Sequence, residues 1–197
     1  MAVSKGMPAT TVREAIALGV ADLGENRVQE AEGKIAAIGR HAARWHLVGH
    51  LQRNKAGRAL DLFDRIHGVD GRELAEALSR RAAAAGRTVP VLIEVNIAGE
   101  ASQYGARPRE LEGLLEAVAA LPGLAPDGLM TVGPPVANPE EARPRFQRLR
   151  ELRDRCEQSL GLRLPELSMG MSADFEVAIE EGATMVRVGS ALFGPRG

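Results

Sequence analysis

Eight short apolar runs recur along the 197-residue chain, at 2–4, 21–24, 45–49, 65–69, 89–97, 128–132, 166–170 and 184–189. Amphipathic stretches follow them, and the breaks carry Gly, Pro and Asn. Runs this short suit buried strands better than helices, whereas stretches such as TTVREAIALG, GRELAEALSRRAAAAG and PRELEGLLEAVAAL show helical spacing of apolar residues. Strands alternating with helices in one compositional zone predict a parallel α/β fold. The count of eight, and the absence of a G-x-G-x-x-G after the first run, favour a (β/α)8 TIM barrel over a doubly wound open sheet. The length suits one domain spanning residues 1–197. Both ends are short: only Met-Ala-Val-Ser precedes Lys5, and Gly-Pro-Arg-Gly after Phe193 leaves no room for a closing eighth helix.

Charge and cysteine content exclude several function classes. The formal net charge is −1, from 25 Lys+Arg against 26 Asp+Glu, so no global field favours nucleic acid or an anionic membrane. The arginine-rich stretch at 138–161 places Ala142, Phe146, Leu149, Cys156 and Leu160 on one helical face, with its interleaved charges on the wet side. It lacks the aromatics of a nucleic-acid groove. No run reaches a membrane span, no signal pattern opens the chain, and the lone Cys156 cannot form an internal disulfide. A cytoplasmic location is the expectation.

Functional residues of a barrel gather at the C-terminal ends of its strands and in the loops beyond. Lys5 stands at such a place after the first run; a desolvated lysine amine can form a Schiff base with an aldehyde. Ser172 follows the seventh run, and Gly189 and Ser190 follow the eighth, opening one helical turn. Each serine can be an N-cap, or the two together can cradle a phosphate between the last two loops. Arg187 alternates with Val186 and Val188, which sends it into the barrel interior. A charge there needs a partner: Glu94 in a structural ion pair, or a ligand's ring nitrogen or phosphate. GENRVQE places Glu25, Asn26 and Gln29 near the same mouth, and HLVGHLQRNK adds His46, His50, Gln52, Asn54 and Lys55. The two histidines lack the spacing and companions of a metal site, and no G-x-S-x-G elbow occurs.

AVSK, GENRVQE, WHLVGHLQRNK, EVNIAGEASQYG, GLMTV and ELSMGMSADFEVAIEEGATMVRVGSALFG, in that order, resemble the pyridoxal phosphate homeostasis protein family over nearly the whole chain. The resemblance implies a barrel like the N-terminal domain of alanine racemase. It also implies pyridoxal 5′-phosphate held as a Schiff base on Lys5, with Ser172, Gly189 and Ser190 at its phosphate, Asn26 beside it and Arg187 facing the pyridine nitrogen. The chain departs from the family pattern in lacking the usual N-terminal helix. It also carries Gly6 and Met7 where Thr and Lys are usual, and Gln103 where a lysine is common. An arginine at the pyridine nitrogen disfavours ring protonation and weakens the cofactor as an electron sink. Similar racemases also take a tyrosine acid/base from a second domain, whereas the one tyrosine here is Tyr104. The expectation is a non-catalytic, monomeric carrier that delivers the cofactor to apo-enzymes. The alternative is a weak amino-acid racemase or decarboxylase.

Overall fold

A computed structural model describes residues 1–100 and 103–194; Ala101 and Ser102 of EVNIAGEASQYG, and the terminal Pro195–Gly197, lie outside the described residues. Eight strands form one parallel sheet in sequence order: β1 (Ala2–Val3), β2 (Asp22–Glu25), β3 (Arg44–Leu47), β4 (Arg65–Val69), β5 (Val89–Glu94), β6 (Leu124–Met130), β7 (Glu166–Met171) and β8 (Met185–Arg187). The sheet closes on itself through β1. Val3 N donates to Val188 O at 2.8 Å, Val188 N donates to Met1 O at 3.1 Å, and the amino terminus donates to Val186 O at 3.1 Å. The (β/α)8 barrel is therefore complete even though its first strand is two residues long.

The outer layer comprises α1 (Ala9–Ala17), α2 (Val28–Ile38), α3 (Ala56–Leu62), α4 (Arg72–Ala84), α5 (Leu111–Ala119), α6 (Arg143–Leu160) and α7 (Phe175–Glu180). The single turn α8 (Ser190–Phe193) follows β8. Alternation along the strands divides their side chains between two faces. Val89, Val91 and Ile93 of β5 join the same buried cluster as Leu74 and Leu78 of α4 and Leu111 and Leu115 of α5, while Leu92 and Glu94 fall on the other face. Helix α6 buries Phe146, Leu149, Leu152 and Cys156, with Ala142 just ahead of it, and leaves Leu160 partly covered.

Strand β6 begins four residues before the apolar run at 128–132, although Leu124-Ala-Pro-Asp-Gly has the composition of a turn. The pairing explains it. Val91 faces Pro126 and Leu92 faces Gly128, so Asp127 is the extra residue of a bulge. Gly128, with φ 158°, lies so close to the Glu166 backbone that a Cβ would overlap it.

Candidate functional site

A cavity of about 400 Å³ opens at the C-terminal ends of the strands, and Lys5, Asn26, Ser172, Arg187, Gly189 and Ser190 all line it. Residues 185 positions apart in sequence thus share one wall because β1 and β8 are neighbours. Lys5 and Arg187 are its only ionisable lining residues among those described, so the cavity favours an anion.

The backbone on both sides of Lys5 is tied down by a buried polar cluster. Ser4 Oγ donates to Glu25 Oε1 at 2.6 Å. Lys34 Nζ donates to Glu25 Oε1 at 2.7 Å, to Glu30 Oε1 at 2.8 Å and to the Ser4 carbonyl at 2.5 Å. Glu30 Oε1 also accepts from Gly6 N at 2.5 Å, where φ is 77° and glycine adopts the bend without strain. Burial pushes the Glu25 carboxyl above the usual carboxylate range, opposed by its bonds to Lys34 and Ser4. Lys34 thus links α2, β2 and the segment bearing Lys5. Asn26 is located by Gly49, since a Cβ there would stand 2.9 Å from Asn26 Cα.

Ser172 and Ser190 do not cap their own helices. Asp174 precedes α7 and accepts from Met171 N at 2.6 Å, while Gly189 precedes α8. Instead, Ser172 Oγ reaches across to α8, accepting from Gly189 N at 3.1 Å and Ala191 N at 3.3 Å. The oxygen accepts twice, so its own proton can be donated to an oxyanion in the cavity. Gly189 keeps that wall low: a Cβ would stand 3.3 Å from the Val3 carbonyl.

Arg187 points into the barrel interior, as alternation predicted, and is 5% exposed. Its Nη1 donates to Ser168 O and Ser168 Oγ, each at 2.8 Å, and its Nη2 donates to Thr131 O at 2.8 Å. Burial lowers its pKa to about 10, partly offset by the charges of Glu94 and Asp174, so it remains cationic at neutral pH. Glu94 acts on it through space, without a hydrogen bond between them. The Glu94 carboxyl is pushed up to about 7 by burial and by Asp70, and its Oε2 has no hydrogen-bond partner.

The histidines separate. His46 lies inside the barrel, 3% exposed, and not at the mouth where its motif suggested. His50 is at the rim, its Nδ1 3.2 Å from Asp70 Oδ2 and its ring stacked on Tyr104 at 3.8 Å between centroids. Sequence reasoning also passed over the Lys34 cluster, His67 and Ser168. The strand alternation that placed Arg187 inside would have placed His46 there too, since Trp45 and Leu47 flank it.

Comparison with known proteins accords with this architecture. All 197 residues match the family model for the alanine racemase N-terminal domain. The chain is 45% identical over 193 residues to the pyridoxal phosphate homeostasis protein of Aquifex aeolicus, covering 98% of this chain and 85% of that protein. The chain belongs to the pyridoxal phosphate homeostasis protein family. PipY of Synechococcus elongatus PCC7942, solved with PLP bound, superposes with a TM-score of 0.92 at 41% identity, covering 98% of this chain and 91% of that one. The homeostasis family shares its barrel with larger enzymes: alanine racemase of Clostridium difficile 630 matches with a TM-score of 0.82 at 16% identity, over 98% of this chain and 51% of that one. That likeness is one of fold.

Proposed function

We propose that this protein binds pyridoxal 5′-phosphate (PLP) in the mouth cavity and acts as a holder and supplier of the cofactor, with Lys5 as the attachment point. The observation that carries this reading is the convergence of Lys5, Arg187 and the Ser172–α8 turn on one cavity whose described lining holds no carboxylate. The donor set fits the cofactor: an amine for its aldehyde, a hydroxyl and glycine-lined turn for its phosphate, and a buried cation for its ring. PLP supplies an aldehyde that condenses with a primary amine, releasing water. Lys5 provides that amine, held by the anchored Ser4 and Gly6. Ser172, Gly189 and Ser190 bind the phosphate, Asn26 lies alongside, and Arg187 faces the ring nitrogen.

Arg187 also supports a carrier over an enzyme. A guanidinium that stays charged keeps the ring nitrogen unprotonated, which weakens carbanion stabilisation. Tyr104 is 58% exposed, stacks on His50, and is not among the described lining residues, so it is poorly placed to serve as an acid/base on bound substrate. Apo-enzymes that require PLP are the recipients in this reading, and the working form is a monomer.

The test is the visible absorbance of the protein with added PLP, before and after borohydride, alongside Lys5→Ala. The expected result is a new band that borohydride fixes covalently to Lys5 and that the variant lacks. A wild type without the band overturns the reading, as does exchange of amino-acid α-protons well above that of free PLP.

A further inference from the structure

A single file of hydrogen bonds crosses the barrel interior from the start of β2 to the cavity. Asp22 Oδ1 lies 3.0 Å from His46 Nε2, and His46 Nδ1 lies 3.0 Å from His67 Nε2. His67 Nδ1 lies 3.2 Å from Ser168 Oγ, which accepts from Arg187 Nη1 at 2.8 Å. Five strands each contribute one member. His67 and Ser168 are fully buried, and His46 and Arg187 are 3% and 5% exposed.

With both imidazoles neutral, the Asp22 end fixes the direction of every bond, whereas Ser168 Oγ can accept from Arg187 whichever way its own proton points. A guanidinium can only donate and a carboxylate can only accept. Asp22 is held below the usual carboxylate range, chiefly by its bond to Arg44, and is ionised at neutral pH. His46 must therefore carry its proton on Nε2, which leaves Nδ1 to accept from His67 Nε2–H. His67 Nδ1 then accepts from the Ser168 hydroxyl, whose lone pairs face Arg187. Every donor and acceptor in the file is satisfied in one arrangement, with both imidazoles neutral. Burial favours that state by lowering both imidazole pKa values, that of His67 more strongly. The facing charges divide: Asp22 and Asp64 favour a proton on His46 and Arg65 opposes it, while His46, Arg187, Arg65 and the amino terminus oppose one on His67.

We infer that Asp22, His46, His67 and Ser168 are positioning residues for Arg187, holding its guanidinium in one orientation at the cavity and coupling that orientation to Asp22 at the opposite end of the barrel. The inference rests on the reading of the cavity as a PLP site. Asp22 does not line the cavity; because it also acts on the Met1 amino terminus at the start of β1, Ser168→Ala, which cuts the file far from that end, separates the two routes.

Two measurements test this. In the protein without added cofactor, 15N NMR of the imidazoles at neutral pH should show Nε2 protonated and Nδ1 unprotonated for both His46 and His67. With PLP, Asp22→Ala and Ser168→Ala should each shift the absorbance maximum of the bound cofactor and weaken its affinity threefold to tenfold, on the order expected for one hydrogen bond. The double variant should be no worse than the more severe single one. Arg44→Gln, which removes the other partner of Asp22, should leave the spectrum in place. A protonated Nδ1 on either histidine overturns the inference, as does a wild-type spectrum in Asp22→Ala or additive losses in the double variant. A wild type that takes up no PLP overturns the reading of the cavity, and the imidazole spectrum still decides the file.

Discussion

Replacing Glu94 by Gln should flatten the fall in stability between pH 5 and pH 8 by about 2.5 kcal/mol relative to the wild type. Glu94 is 6% exposed, and its pKa rises from an ordinary 4.5 to about 7 through burial and the neighbouring charge of Asp70, against the opposing pull of Arg187. The folded state therefore binds a proton more tightly than the unfolded chain. That contribution is full below the unfolded value and is lost as pH rises through the folded one. The rise from 4.5 to about 7 corresponds to about 3.4 kcal/mol in full, at ~1.36 kcal/mol for each tenfold change in proton affinity, of which about 2.5 kcal/mol falls between pH 5 and pH 8. Urea unfolding of both proteins at the two pH values measures it, because other titrating groups cancel in the comparison. Equal pH dependence in the two proteins would mean that the carboxylate has a partner or solvent that the structure does not give it.

Lys34→Met leaves Glu25 and Glu30 without their shared cation and should destabilise the protein by about 3–5 kcal/mol, read by urea unfolding. The same variant should slow borohydride-trapped attachment at Lys5, because Ser4 and Gly6 lose their common anchor. Ser172→Ala removes the acceptor for two amides of the α8 turn and should lower stability by about 1 kcal/mol. Its PLP affinity, measured by fluorescence titration, should fall further than its stability, since the hydroxyl also faces the cavity. Gly49→Ala drives a methyl group into the Asn26 backbone, and thermal unfolding should report a loss of about 1–3 kcal/mol.

Strand order and the interior direction of Arg187 were legible in the sequence because both follow from local periodicity. A run of alternating or continuous apolar residues has one stable place in a βα rhythm, and a lysine, two serines and one glycine at strand ends then converge by topology alone. Three features were not legible, each for a physical reason. The bulge at Asp127 lets Pro126 and Gly128 sit within a strand, so local composition signalled a turn where tertiary pairing made a ladder. Lys34 lies at the flank of the Val28, Ala31 and Ile35 face of α2, where a lysine ordinarily reaches out to water; only the approach of Glu25 and the Ser4 carbonyl makes its burial tolerable. The His46–His67 contact depends on the stagger between β3 and β4, which no single-strand pattern contains.

The closure of the sheet through β1 has a kinetic side. Lys5 stands on one side of the β1–β8 seam, and Ser190 and Gly189 stand on the other, more than 180 positions away along the chain. A ligand gripped by both would act as a removable crosslink across nearly the entire polypeptide, and crosslinks that close long loops restrict an opened chain most. The strand at the seam is two residues long, so this is where an empty barrel would part first. Amide hydrogens of Val3 and Val188 should then exchange far more slowly when the cofactor is bound, and loading and release would be timed by the breathing of that seam.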